Sequence, residues 1–349
     1  MDKPVVAIAL SGGVDSLVSG HLLKQTYPDI FGIHFTTGYE ARPVDIADLE
    51  NQLGFKIHKV DLSTIFETEV VQYFISTYMD GKTPNPCLFC NQKIKFGALL
   101  ELATDLGADF LATGHYATIF NAQSVPDMDS EQTPWLEKGT DPRKDQSYFL
   151  ARLTPEQLNR IIFPLAGLTK PRVKEMAAEF GLKPQGSGES QDICFIPDGT
   201  FADFILSKQN SRPEPGPIKD FATGKEVGRH NGLHAFTIGQ RRGINCPAAE
   251  PYYVKAIDMA ANTLVVCFKK DLGDRTMQVK ELIWNQPDMP SEITLTVKIR
   301  YNHPGAPARL TMDNDRASVT FEEPQFAITP GQAAVFYQGD RVVGSAIIE

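Results

Sequence analysis

VVAIALSGGVDSLVSGHLL, residues 5–23, decides the architecture of the chain. Val5 to Leu10 is a short, unbroken apolar run, which predicts a strand buried on both faces. Val14, Leu17, Val18, His21 and Leu22 then recur at helical spacing. Ser11, Gly12 and Gly13 are therefore a strand-to-helix turn. Glycines there clear side chains from the backbone N–H groups, and the helix start adds unsatisfied donors and the positive end of a dipole. An anion fits such a turn. So does a plain βα connection whose acidic first turn, with Asp15 and Ser16, complements the dipole. A Walker A loop is excluded because no lysine follows, and a dinucleotide fingerprint because Gly-x-Gly-x-x-Gly is absent.

Beyond this stretch, strand-like runs at Phe31–Thr37, Lys56–Val60 and Phe110–Thr113 are separated by helical stripes over residues 44–53, 66–78 and 94–106. Strands alternating with helices predict a parallel, doubly wound sheet whose ligands sit beyond the carboxyl ends of its strands. The opening loop occupies one such end and Thr113-Gly114-His115-Tyr116 another. Ser211-Arg212-Pro213-Glu214-Pro215-Gly216-Pro217 reads as a breaker-rich linker. After it come short alternating strands at Tyr253–Ile257, Leu264–Val266, Ile293–Tyr301, Val319–Phe321, Ala333–Val335 and Val342–Ile348. With turns at Asp313-Asn314-Asp315 and Gln338-Gly339-Asp340, they predict a small β-barrel. The reading is α/β: a doubly wound nucleotide-binding domain (1–207), a small middle module (208–275) and a C-terminal β-barrel (276–349).

A chain of 349 residues can bury more than one core, and 42% hydrophobic with 22% charged residues is the composition of a soluble globular protein. No run approaches the roughly 18 apolar residues of a membrane helix. The Met-Asp-Lys-Pro opening is no secretory signal, so the five cysteines are expected to be reduced in the cytoplasm. The net charge of −9 argues against a nucleic-acid partner unless basic residues gather locally.

Thr83-Pro84-Asn85-Pro86-Cys87-Leu88-Phe89-Cys90-Asn91 precedes a helical stripe. Its prolines fix an extended entry, which predicts Cys90 at or near a helix N-terminus. There the dipole, with Lys93 and Lys95, would lower the thiol below its ordinary value of about 8.5. Cys194, between Ile193 and Phe195, reads by itself as a buried strand cysteine, and Cys246 and Cys267 as packing. A structural zinc site needs a second ligand pair, and none is present. A thioredoxin-like redox pair would leave the opening loop without a role.

Ser11-Gly12-Gly13-Val14-Asp15-Ser16 resembles the pyrophosphate-binding (PP) loop of the ATP pyrophosphatase group. Further motifs follow in order: Asn85-Pro86-x-x-x-Cys90-Asn91-x-x-Ile94-Lys95-Phe96, Ala112–Ala117, Lys144–Leu150, Ile193–Pro197, Thr237–Gly243 and Pro330–Tyr337. Together they resemble the tRNA-specific 2-thiouridylases over almost the whole chain. The resemblance implies an enzyme that adenylates the C2 oxygen of the anticodon wobble uridine and replaces it with sulfur, using ATP and magnesium.

By position, the resemblance makes Leu10 to Ser16 (Leu10, Ser11, Gly12, Gly13, Val14, Asp15, Ser16), Phe35 and Gly114 nucleotide contacts, with Asp15 on magnesium. Cys90 matches the nucleophile and Cys194 the persulfide-bearing cysteine, which implies a Cys90–Cys194 disulfide after sulfur release. Asn85, Pro86 and Cys87 match the loop meeting the target base. Lys144, Asp145, Gln146, Arg300 and Tyr301 match tRNA contacts. The implied partners are wobble-uridine tRNAs such as those for Lys, Glu and Gln, and a persulfide donor or relay protein. No membrane partner is implied.

Two features depart from the family pattern. The chain passes quickly from Thr36-Thr37-Gly38-Tyr39 to the next helix, where relatives often carry an insertion. Cys87 stands where an aspartate is common, which removes a carboxylate and creates a three-thiol set with Cys90 and Cys194. Three cysteines can hold an iron–sulfur cluster with one iron open to sulfide. The persulfide route is preferred, because cysteine also occurs there in members that work by persulfide. The other readings are a different PP-loop adenylating enzyme and a tRNA-binding protein with a vestigial nucleotide loop.

Overall fold

A computed structural model describes the chain except residues 1–2, 41, 122–132, 186–192, 210–211, 287, 289 and 314–315. The N-terminal part supplies β1 (Val6–Ala9), β2 (Ile30–Thr36), β3 (Ile57–Asp61), β4 (Phe110–Ala112), β5 (Ala117–Phe120), β6 (Trp135–Lys138) and β7 (Ile161–Ile162). The strands β3-β2-β1-β4-β7 lie in that order, all parallel. Chain order reverses at β1, so the carboxyl ends of β1 and β4 flank the crevice where such sheets bind ligands.

Strand alternation sorts the two layers. Val6 and Ile8 pack with Leu17 and Val18 of the helix Val14–Thr26, Leu49 and Leu53 of Ile46–Leu53, and Val173 of Lys170–Glu179. Ala7 faces the other layer, with Phe66, Val70, Phe74, Ile94 and Leu99. Both helices of that layer contain π-helical segments, Glu67–Val71 and Cys90–Ala98, between α-helical ends. The parallel sheet with helices on both faces is the one expected from the opening stretch. Its fifth strand, β7, is two residues long and gave no periodic signal.

The middle unit is a four-stranded sheet in the order β10-β11-β8-β9, formed by β8 (Gly216–Asp220), β9 (Glu226–His230), β10 (Tyr253–Asp258) and β11 (Thr263–Cys267). Gly216 and Pro217 thus open a strand rather than end a linker. A Cβ on Gly216 would stand 2.1 Å from the Asn262 carbonyl oxygen, so a close backbone approach, not a turn, accounts for this glycine.

The C-terminal unit is β12 (Gly273–Trp284), β13 (Glu292–Lys298), β14 (Ala306–Asp313), β15 (Arg316–Phe326), β16 (Ala333–Gln338) and β17 (Arg341–Ile348). Pairing runs β12-β15-β14-β13-β16-β17 and closes through β12–β17 into a six-stranded barrel. Along β13 the expected alternation holds: Leu295 and Val297 are buried and Thr294 and Thr296 exposed. The hairpin β5–β6 also joins the barrel, with Leu136 beside Val342 and Glu137 beside Arg341. One apolar cluster therefore runs from Leu111 and Tyr148 to Tyr337 and Val342. No helix among the described residues is long and apolar enough to cross a membrane.

Candidate active site

The first chemical element is the loop after β1. Gly12 sits at φ +79°, and the helix Val14–Thr26 starts from Gly13, which has no side chain to cap it. The two hydroxyls fold inward: Ser16 Oγ donates to the Gly13 carbonyl at 2.9 Å, and Ser11 Oγ accepts from Gly13 N at 3.3 Å. Leu10 is buried, and its carbonyl lies 2.8 Å from His34 Nδ1 on β2. The result is a shallow cradle of backbone donors rimmed by hydroxyls, which suits phosphate oxygens. Val14 packs against the apolar layer beneath it.

Gly114, just past β4, closes the cradle. A Cβ there would lie 2.9 Å from the Asp15 carbonyl carbon and 3.0 Å from Asp15 Cβ, so only glycine lets the loop after β4 touch the first turn of the helix Val14–Thr26. Phe35 stands half-buried near the carboxyl end of β2, the strand that pairs with β1. Asp15 is fully engaged: Lys170 Nζ donates to its two oxygens at 2.6 and 2.8 Å, and the Tyr116 hydroxyl donates at 2.7 Å. Sequence reasoning did not find Lys170, which carries no recognisable motif.

The second element is the cysteine helix. It starts earlier than expected, at Pro86, with the Asn85 side chain accepting from Leu88 N at 3.3 Å. Cys90 therefore lies a full turn inside the helix, at the start of its π segment. The expected lowering of its thiol is overturned: burial pushes Cys90 up to about 12 and outweighs the opposing pull of Lys95. Cys194 is corrected too, for it is exposed on a turn outside any strand, while Phe195 takes the buried place beside Phe66 and Phe74. Residues 190–192 of its motif lie outside the described residues.

Cys87, Cys90 and Cys194 share one neighbourhood. Cys90 feels both of the other thiols, and Lys95 draws all three downward against burial. Cys87 and Cys194 meet solvent, yet the protein around them still raises both thiols by desolvation. All five cysteines are free thiols, so the implied Cys90–Cys194 disulfide is not formed here. Among the described residues no three His, Cys, Asp or Glu side chains are arranged to hold a metal ion.

The implied tRNA contacts divide. Asn85 and Pro86 are buried and only Cys87 of that trio is exposed. Asp145 is also buried, accepting from Gly139 N, Ser147 N and Ser147 Oγ at 2.9 to 3.1 Å. Gln146 pairs with the Tyr116 backbone through its own N–H at 2.8 Å and its Oε1 at 2.9 Å. The Gln146 side chain thus braces the loop after β4, and the Asp145 side chain the turn after β6. Lys144 is half-buried; Arg300 donates to the Phe326 carbonyl at 3.0 Å, and Tyr301 packs on Phe149 at 4.5 Å between ring centres.

Gln332 is a further residue that the sequence reading left unassigned, although it lies in the Pro330–Tyr337 motif. Its Nε2 donates to the Thr83 and Pro84 carbonyls at 3.2 and 2.9 Å, and Thr83 N donates to the Pro330 carbonyl at 2.8 Å. The barrel thereby fixes the segment leading into Cys87.

Residues 4–198 match the family model described as a tRNA methyl transferase HUP domain. Residues 202–268 match a tRNA methyl transferase PRC-barrel domain and residues 274–348 an aminomethyltransferase β-barrel domain. The chain is 49% identical over 350 residues to a protein of Desulfosudis oleivorans named tRNA-specific 2-thiouridylase MnmA, covering 99% of this chain and 95% of that one. Proteins of the same name from Moorella thermoacetica and Syntrophotalea carbinolica are 39% and 40% identical, with 98% of each chain covered.

Proposed function

The chain belongs to the tRNA-specific 2-thiouridylases, and from that premise we propose how its residues replace the C2 oxygen of a wobble uridine with sulfur. ATP, when bound, supplies the adenylyl group that turns a poor leaving oxygen into a good one. The backbone donors of residues 11–16, with Ser11 and Ser16, hold its phosphates; Phe35 and Gly114 border the rest of the nucleotide, and Asp15 is the carboxylate for magnesium. In this reading residues 1–207 carry the chemistry, while 208–275 and 276–349 dock the tRNA.

Cys194 receives sulfur, because an exposed turn is open to an outside persulfide donor. The terminal sulfur of the Cys194 persulfide attacks C2, and the oxygen departs with AMP. The Cys90 thiolate then attacks Cys194 Sγ, which breaks the S–S bond to the transferred sulfur, frees the 2-thiouridine and leaves a Cys90–Cys194 disulfide. An external thiol reductant restores both cysteines. Protein raises the Cys90 thiol, so the proton must leave before this step, and the Lys95 ammonium stabilises the thiolate that forms. Cys87 stands by the base without taking part.

The observation that carries this reading is the common neighbourhood of Cys90, Cys194 and Lys95, tied by the Lys95–His115 contact to the loop whose Gly114 touches the phosphate turn. Cys87 lies in the same neighbourhood, so a cluster-dependent route is the alternative the test must exclude, although the three thiols are not arranged here to hold a metal ion. The test is mass analysis of tRNA nucleosides after incubation with ATP, magnesium and a sulfide source. 2-Thiouridine without bound iron supports the persulfide route; tRNA left unmodified while pyrophosphate is released supports a different adenylating activity.

A further inference from the structure

The phosphate loop contains no lysine, yet a lysine reaches it from 155 residues along the chain. Lys170 is buried, the one buried lysine among the described residues. Burial of a lysine is costly unless its charge is paired. Lys170 also opens the helix Lys170–Glu179, at the dipole end that disfavours a cation. Neither position helps the helix, and the ammonium lies against Asp15 in the phosphate loop, at 2.6 and 2.8 Å.

We propose that Lys170 is the phosphate-contacting cation of the nucleotide site, held by Asp15 in this structure and transferred to the phosphates beyond the α position when ATP binds. The inference rests on the reading that residues 11–16 hold ATP. Its logic is an exchange of partners. A carboxylate that takes up the nucleotide's divalent cation gives up its ammonium, and a phosphate oxygen next to the loop is the anion that replaces it. Tyr116, which donates to Asp15 Oδ1 at 2.7 Å, keeps the carboxylate in place during that exchange. The helix start itself is not the donor, because Lys170 N already donates to Asp141 Oδ2 at 2.9 Å. The ammonium is the group of Lys170 positioned to change partners.

The test is equilibrium binding of a non-hydrolysable ATP analogue and of AMP, with magnesium and with chelator. Lys170→Met should weaken the analogue about tenfold or more and leave AMP within about twofold, since AMP lacks the outer phosphates. Lys170→Arg, which keeps the charge, should retain most of the affinity. With chelator, Asp15→Asn should bind the analogue more tightly than the parent chain, because Lys170 is released to the phosphates. That gain should vanish in Asp15→Asn/Lys170→Met, a variant that also removes both charges and so guards against misfolding. Analogue binding by Lys170→Met equal to the parent, or a gain that survives in the double variant, overturns the proposal. Failure of the parent chain to bind the analogue overturns the nucleotide reading instead.

Discussion

The ammonium of Lys95 lies 3.4 Å from Nε2 of His115. An ammonium can only donate, so Nε2 accepts, and the proton of the neutral ring sits on Nδ1, which donates to Thr113 Oγ1 at 2.7 Å. Burial and the Lys95 charge both hold His115 well below the ordinary histidine range, which keeps the ring neutral. Lys95 in turn follows Cys90 by five residues in a π-helical segment. In an α-helix those positions lie about 140° apart; the wider turn, with its i→i+5 bonds, stacks them on one face. The pair thus ties the cysteine helix to the strand end that carries Gly114.

Lys95 is the cation that opposes burial at all three thiols, so its removal should raise them further. For Lys95→Met, the alkylation rate of Cys90 at pH 8 should fall about three- to tenfold, and its rise with pH should move upward. Lys95→Arg should stay near the parent. An unchanged pH–rate curve for Lys95→Met would remove the ammonium from the sulfur site.

His115 makes a pH prediction of definite sign. Its folded-state value lies well below 6.5, so below that pH the unfolded chain takes up a proton that the folded chain refuses. The stability it contributes is present above pH 6.5 and is lost as pH falls toward the folded value. The slope approaches about 1.4 kcal/mol per pH unit for this one group. Urea unfolding at pH 7.5, 6.5 and 5.5 should show a shallower acid loss in His115→Gln than in the parent. Equal slopes would mean that the ring is protonated in the folded state.

Much of this was legible in the sequence, and for a physical reason. Val5 to Leu10 and the helical stripe behind it are local patterns, and a parallel sheet with a phosphate turn follows from them alone. The hairpin β5–β6 was not legible, because its pairing partner is β17, about two hundred residues later, and residues 117–120 read as part of the first domain. Gly216 misled through composition: beside prolines it reads as a breaker, whereas a close backbone contact requires it. The cysteines were found, but their ionisation was not. Helix position and lysine neighbours are visible in a sequence; the desolvation that dominates Cys90 depends on tertiary packing. Asp145 shows the same limit, since a charged residue in a polar turn gives no sign that it will be buried.

That burial separates Asp145 from its neighbours in a tRNA-binding assay. Lys144→Ala and Arg300→Ala should each flatten the plot of log K against log salt by about one unit, as loss of a phosphate contact does. Asp145→Ala should leave the slope alone and lower stability by about 1–3 kcal/mol, because Gly139 N and Ser147 N lose their acceptor. A flattened slope for Asp145→Ala at parental stability would put that carboxylate in the interface after all.

The three active-site thiols can be separated by single serine variants. In the persulfide route Cys194 carries the sulfur and Cys90 frees it, so either serine variant should fall below about one-thousandth of parental thiolation, the scale of losing a covalent nucleophile. Cys87 is exposed, and its replacement removes only a neighbouring thiol, so Cys87→Ser should keep most of the rate. In the cluster route all three thiolates bind iron, and Cys87→Ser should fail as completely as the others. The measurements are thiolation and iron content after anaerobic purification, with pyrophosphate release as the control. Cys90→Ser and Cys194→Ser should still release pyrophosphate in the presence of tRNA, because the phosphate loop between β1 and the helix Val14–Thr26 contains neither cysteine. Stoichiometric iron together with an inactive Cys87→Ser would replace the persulfide with a cluster; an active Cys87→Ser without iron would leave Cys90 and Cys194 as the working pair.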